Sequence, residues 1–227
     1  AWCVCADTVV DTLMRSWFTR LFHGLDGNSQ ALACRLSVSE SLVLSSPAPV
    51  HAPFIREGGL KRVTGRLGEA MRKVSAVPAV RLFIEAPARV FDSQQQVLEA
   101  YQRGELNTDV MVVLRYQGPR ANGMPELHQL TPALRHVKQA GHQVALVTDG
   151  RLSGASGKVP AAIHLSPEAL LGGALACVRD GDVIRLDGHR GTLDVLADDF
   201  DQRTPDPAPK PTQQGVGREL FAVFRER

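Results

Sequence analysis

The sequence predicts a mixed α/β domain with a β-rich end. Two continuous apolar runs, "DVMVVLRY" and "QVALVTD", show no polar alternation and read as strands covered on both faces. Segments bearing helix start and stop signals separate them. Further on, "DVIRLDGHRGTLDVLA" reads as two strands joined by a Gly-containing turn.

Taken in order, "RLFIEAPARVF" is the first strand region. Ser93 then caps a helix, and Gln96, three residues on, supplies the return half of a capping box. Val97, Leu98 and Tyr101 give that helix a buried face. Gly104 ends it, because glycine accepts the left-handed backbone that closes a helix. After "DVMVVLRY", Thr131-Pro132 opens the next helix, with proline at the first helical position, where a missing donor costs nothing. Gly141 ends that helix and "QVALVTD" follows. Ser166-Pro167-Glu168 predicts the start of a third helix. The tail "GRELFAVFRER" predicts a short amphipathic helix with Leu220, Phe221 and Phe224 on one face.

The 227 residues suffice for one large domain or for one domain with extensions. Hydrophobic residues at 44% and charged residues at 22% are proportions of an ordinary globular protein. A net charge of +2 lacks the basic field that nucleic acid requires. No apolar run reaches the ~18 residues of a membrane span, so neither nucleic acid nor membrane is expected as a partner. Cys3, Cys5, Cys34 and Cys177 show no metal-binding pairing, and Cys3-Val4-Cys5 is tighter than a zinc knuckle. Such scattered thiols suit a reducing compartment, which makes the cytoplasm the expected location. Two proline-rich stretches, "SSPAPVHAP" and "RTPDPAPKPTQQG", divide the chain. The expected organisation is a distinct segment over 1–45, a domain over 46–203, and a Pro-rich linker with a short terminal helix over 204–227. The first segment has no clean signal-peptide cleavage site.

Two polar, Gly-rich loops follow the buried runs: "QGPRANGMPELHQLTP" and, within "VTDGRLSGASGKVPAAIH", the stretch after Asp149. Ligands of α/β sheets sit beyond the carboxyl ends of strands, and two loops at such ends can face each other. The second loop fails three familiar motifs. A P-loop would need glycine at Leu152 and a hydroxyl at Val159 around Gly157-Lys158. A nucleophile elbow would need glycine at Arg151 or Lys158. A Ser-x-x-Lys pair would need serine at Ala155. Composition alone leaves an ordinary surface turn as an equal alternative.

The blocks "IEAPARVFDSQQQVLEAY", "QGPRANGMPELHQLTP" and "VTDGRLSGASGKVPAAIHLSPEAL" resemble the C-terminal part of the dihydroxy-acid dehydratase and phosphogluconate dehydratase family, specifically its phosphogluconate branch. The resemblance runs from "FIREGGLKRVTGRLGEAMRKVSAV" to the "GVGRELFAVFR" tail. Residues 1–45 lie outside it, as a truncated or misread gene start would leave them. Arg66 departs from the family, which usually has asparagine after that glycine.

The resemblance implies a β-barrel-like, swivelling-domain core with flanking helices. It implies a hydro-lyase that converts a 2,3-dihydroxy acid to a 2-keto-3-deoxy acid; in this branch the substrate is 6-phosphogluconate, a phosphorylated sugar acid of the Entner–Doudoroff pathway. An iron–sulfur cluster, of the two-iron or the four-iron (4Fe–4S) kind, acts on the leaving 3-hydroxyl. Its cysteines belong to an N-terminal part, and none of the four here matches them. A divalent cation such as Mg²⁺ holds the carboxylate end, and the full-length protein is expected to be a homodimer. Ser153 in "GRLSGA" falls where the family places its catalytic base. Glu126 in "NGMPELH" falls where it supplies a carboxylate to the divalent metal. Arg151, Ser156 and Lys158 fall on the substrate side, the last two toward the phosphate. Asp149 and Arg151 are expected to form a charge-assisted pair that orients the loop. His128 and His164 read as packed or surface residues and Cys177 as a small core residue. The other readings are a dehydratase of an unphosphorylated sugar acid or of a branched-chain dihydroxy acid, and an inactive fragment serving only binding or assembly. By itself the chain is expected to bind no iron–sulfur cluster and to show no dehydratase activity; anaerobic reconstitution with iron and sulfide analysis checks both.

Overall fold

The strands are β1 (Leu60–Gly65), β2 (Gly68–Lys73), β3 (Phe83–Phe91), β4 (Val110–Leu114), β5 (Val144–Thr148), β6 (Ala161–Ser166), β7 (Val183–Asp187) and β8 (Thr192–Val195). The computed structural model describes residues 59–74, 77, 79–152, 159–210 and 217–225. All residues of β4 and β5 are buried, and the pleat sends neighbours to opposite faces. Met111 and Val113 of β4, with Ala145 and Val147 of β5, join an apolar cluster that draws on all eight strands. Val110, Val112 and Leu114, with Val144 and Leu146, join a second cluster on the other face. The first cluster fills a closed barrel of order β1-β2-β6-β5-β4-β3-β7-β8. Closure comes from parallel pairing of Thr64 with Thr192. Alanines at 70, 86, 88, 145 and 162 leave room inside for Leu186, Leu193 and Ile184, as filling a small barrel requires.

Strands β3, β4, β5 and β6 run parallel, so their carboxyl ends share one rim. Crossovers pack helices outside: α1 (Gln94–Gln102) joins β3 to β4, and α2 (Pro119–Asn122) and α3 (Leu130–Gln139) join β4 to β5. The second cluster seats Val97 and Ala100 of α1 and Leu134 and Val137 of α3 on these strands. This is the α/β class with a barrel core and flanking helices that the sequence and its resemblance imply. The α1 capping box forms as read: Gln96 N–H donates to Ser93 Oγ, and Gln96 Oε1 accepts from Ser93 N–H. Gly104 follows that helix with a left-handed φ of 76°.

Three local expectations change. Helix α3 begins at Leu130, so Pro132 is third in the helix; its ring is still within the first turn, whose amides have no helical acceptor. No α-helix follows Pro167. Two 3₁₀ turns, Ala169–Leu171 and Ala174–Cys177, stand there instead. The Glu168 carboxylate folds inward to the amides of Arg120 and Ala121, and a Cβ at Gly173 would lie 2.0 Å from Pro167 O. In the tail, a 3₁₀ turn (Arg218–Phe221) leads into α4 (Ala222–Arg225), and the buried residue is Arg218. Leu220 is 72% exposed and Phe224 42%, so that apolar face is not what packs. Arg218 Nε donates to Asn122 Oδ1 at 3.0 Å, which fixes the register instead.

The segment read as a linker is pinned to the barrel through Asp206. Its amide donates to Ala176 O, its carbonyl accepts from the Tyr116 hydroxyl, and its carboxylate meets Arg115 at 2.9 Å. Among the described residues no helix is long and apolar enough to cross a membrane.

Arg66 occupies the β1–β2 turn and has a structural task. Its guanidinium donates to Val195 O and Ala197 O and meets Asp201 at 2.9 Å, while its amide donates to Asp194 Oδ1. Gly65 beside it has no space for a side chain, since a Cβ would stand 2.1 Å from Leu193 O. The turn thus clamps the closing strand pair. Arg66→Ala should cost about 1–2 kcal/mol in urea unfolding, by loss of hydrogen bonds to partly buried carbonyls. An unchanged midpoint would show that the clamp adds nothing.

Candidate active site

The loops after β4 and β5 start on the same rim, and buried carboxylates lock them together. Asp149, 1% exposed, accepts from Gln117 N–H at 2.8 Å and from Ala169 N–H at 3.0 Å. Glu168, 5% exposed, accepts from the Arg120 and Ala121 amides at the start of α2. A Cβ at Gly118 would lie 2.0 Å from Glu168 Oε2, so only glycine lets the carboxylate reach those amides. The Gln117 side chain donates to Asp92 O and Arg115 O and accepts from Asn122 Nδ2. These bonds satisfy buried polar groups that would each cost ~1–3 kcal/mol unpaired.

The lock presents Glu126 beside Arg151, whose backbones form a parallel bridge. Arg151 Nε donates to Met124 O at 2.7 Å, and its guanidinium lies 5.6 Å from the centre of the Phe221 ring. Gln94 Nε2 donates to Glu126 O, and Glu126 Oε1 accepts from His128 N–H at 3.1 Å. Tyr116, Met124 and His164, at φ of 60°, 47° and 55°, are the non-glycine residues with left-handed backbone among the described residues, and they border these loops. Such conformations persist where surrounding structure over-determines them, and they concentrate at functional sites.

The expected facing of the two loops is therefore present, and Glu126 and Arg151 come together. Ser153, Ser156 and Lys158 lie outside the described residues. The flanks of that stretch, Leu152 and Val159, are buried in the cluster beneath α3. The expected Asp149–Arg151 pair does not form: Asp149 turns into the interior toward main-chain amides, and Arg151 turns to Met124 O and Phe221. His128 and His164 are exposed, as surface residues. Sequence reasoning missed Gln94, Gln117, Asn122 and Glu168. The one signal for them was the placement of Gln117 and Asn122 directly beyond a buried strand.

Among the described residues no three His, Cys, Asp or Glu side chains group closely enough to hold a metal ion. Glu126 fits a hard cation as one oxygen ligand among several, the usual situation for Mg²⁺, which keeps waters and substrate oxygens as well. Cys177 is partly buried, with its Sγ 3.6 Å from Arg203 O, in no setting for a cluster.

The family described as dihydroxy-acid/6-phosphogluconate dehydratase C-terminal matches residues 47–227. This chain belongs to that family. The phosphogluconate dehydratase of Pseudomonas aeruginosa is 55% identical over 179 residues, covering 78% of this chain and 29% of that relative. That of Zymomonas mobilis is 55% identical over 181 residues, covering 78% of this chain and 30% of the relative. That of Escherichia coli K12 is 49% identical over 203 residues, covering 88% and 34%. The chain thus spans about a third of the length of these curated relatives.

Burial pushes the Asp149 carboxyl up to about 6, with the Glu168 charge acting the same way, against the amides of Ala169 and Gln117. A carboxyl raised above its unfolded value near 3.8 costs stability as pH rises through the window from there to 6. Asp149→Asn does not titrate, so its stability relative to the parent should improve from pH 4 to pH 7 by about 2 kcal/mol. Urea unfolding at each pH measures this, and a constant gap would contradict the raised value.

Proposed function

We propose that this chain is the C-terminal portion of a hydro-lyase that dehydrates 6-phosphogluconate to 2-keto-3-deoxy-6-phosphogluconate, a step of the Entner–Doudoroff pathway. The observation that carries the reading is the junction of the "NGMPELH" and "GRLSGA" loops at one strand rim, in a chain 55% identical to relatives named phosphogluconate dehydratase. When bound, the iron–sulfur cluster and a divalent cation such as Mg²⁺ supply Lewis acidity to the leaving 3-hydroxyl and charge neutralisation at the substrate carboxylate. Glu126 gives one carboxylate oxygen to the divalent cation. Ser153, held as the alkoxide, would take the proton from C2 and become the hydroxyl; the C2–H electron pair becomes the C2–C3 double bond as the C3–O bond breaks, and the departing hydroxide takes the Ser153 proton to leave as water, which restores the alkoxide. The resulting enol tautomerises to the 2-keto acid. A serine hydroxyl performs this near neutral pH only in a strong positive field. Arg151, Ser156 and Lys158 face the substrate's charged groups.

The cluster's cysteines belong to the part of the longer protein that precedes this domain. The full protein works in the cytoplasm as a homodimer, without nucleic-acid or membrane partners, in keeping with the near-neutral charge of this chain.

Joining this chain to a complete N-terminal portion of a phosphogluconate dehydratase tests the reading. The joined protein should turn over 6-phosphogluconate in preference to gluconate and to branched-chain dihydroxy acids; the opposite preference would assign another dehydratase. Ser153→Ala should lower C2 proton exchange with solvent by about 10²–10⁴. Near-normal exchange would place the base elsewhere. Glu126→Gln should raise the divalent-cation concentration needed for half-maximal rate, and an unchanged requirement would remove Glu126 from the metal.

A further inference from the structure

A cleft of about 340 Å³ opens at the carboxyl ends of β3 and β4, between the start of α1, the loop after β4 and the C-terminal segment. That volume is near the lower end of the ~300–1,000 Å³ typical of small-molecule sites. The cleft shares a wall with the site above, because Gln94, which lines it, donates to the backbone carbonyl of Glu126. Its other polar walls include Asp92, Gln117, Asn122, Lys210 and Arg218.

Its charged lining residues are Asp92, Lys210 and Arg218. The single lining carboxylate, Asp92, meets Arg115 at 2.7 Å, and Arg115 also meets Asp206. Arg218 is 8% exposed and seated on Asn122, while Lys210 stands exposed at the rim. Lys210 reaches this position because the arm that carries it is stiff and anchored. Pro205, Pro207 and Pro209 restrict its backbone, and Asp206 is bound at its amide, carbonyl and carboxylate. Arg218 can approach because Gly123, at φ 65°, has no side chain: a Cβ there would meet Arg218 O at 2.9 Å. Side-chain amides offer donors and acceptors together, which suits the hydroxyls of a polyol. The exposed Lys210 ammonium beside them suits a phosphate.

We propose that this cleft is a subsite for the phosphate-bearing, hydroxylated end of the substrate, with Lys210 toward the phosphate and Gln94 toward a hydroxyl. The assignment rests on the dehydratase reading for the substrate's identity. It sets Lys210 of the C-terminal segment on the phosphate in addition to Lys158 of the "SGASGK" loop, and makes that segment part of the recognition machinery.

Calorimetric titration of the full chain with 6-phosphogluconate, gluconate and inorganic phosphate tests the subsite without any turnover. The parent chain should bind 6-phosphogluconate at least about tenfold more tightly than gluconate, with inorganic phosphate competing. Lys210→Met should remove most of that preference while leaving gluconate affinity unchanged, and Lys210→Arg should restore it. Lys210 is exposed, so these variants should melt like the parent. Equal affinity for the two sugar acids overturns the subsite, and so does a preference that survives Lys210→Met but vanishes in Lys158→Met. Dehydratase turnover in the joined protein without a Lys210 effect would sink the subsite alone. A Lys210-dependent preference without turnover would sink the dehydratase reading and leave a phosphosugar site.

Discussion

The Asp149 carboxylate is almost wholly removed from water, and its two oxygens receive main-chain amides from different loops, Gln117 after β4 and Ala169 after β6. The strand that ends at Thr148 thus fixes its neighbours on the rim. Glu168, one residue before Ala169, reaches back to α2 and closes a ring: β4 loop to Asp149, Asp149 to Ala169, Glu168 to the β4 loop. Without these acceptors four buried amides would be unpaired, and no other described carboxylate serves them. Every functional placement on this rim depends on that ring.

Its consequence is that the Glu126 loop is tied to residues 149–151 after β5. Arg151 adds a second tie through Met124 O, and Gln94 a third through Glu126 O. The dehydration proposed above would need fixed spacing between the group that holds the carboxylate end and the group that withdraws the proton. Bracing through the main chain supplies that with few charged groups in the interior. The amides offset part of the burial cost of the two carboxylates, and at Asp149 burial still outweighs them.

The barrel below shows the same division between local and distant causes. Ends of α1, the buried β4 and β5, and the Gly turn between β7 and β8 were legible because caps, pleat alternation and turn chemistry act within a few residues. The motif blocks around Glu126 and Ser153 were equally legible, as contiguous runs. The helix expected after Pro167 was wrong because Glu168 finds acceptable amides 48 residues earlier in the chain, and nothing near it signals that contact. The expected pair of Asp149 with Arg151 was wrong for a related reason: proximity in sequence does not decide which side of the rim a side chain faces.

The sequence by itself determined the α/β class, the buried strands β4 and β5, the α1 boundaries and the family. Tertiary structure alone decided the closure of the barrel, in which Thr64 meets Thr192, and the clamp by which Arg66 reaches Val195. It alone decided that Arg218 is buried on Asn122, and that the proline-rich arm is fastened at Asp206 so that Lys210 stands at a cleft. Each of these joins residues about a hundred or more positions apart, or depends on a chain of such contacts. Local propensity carries no record of them, because their energy exists only once the intervening chain has folded and brought the partners out of water together.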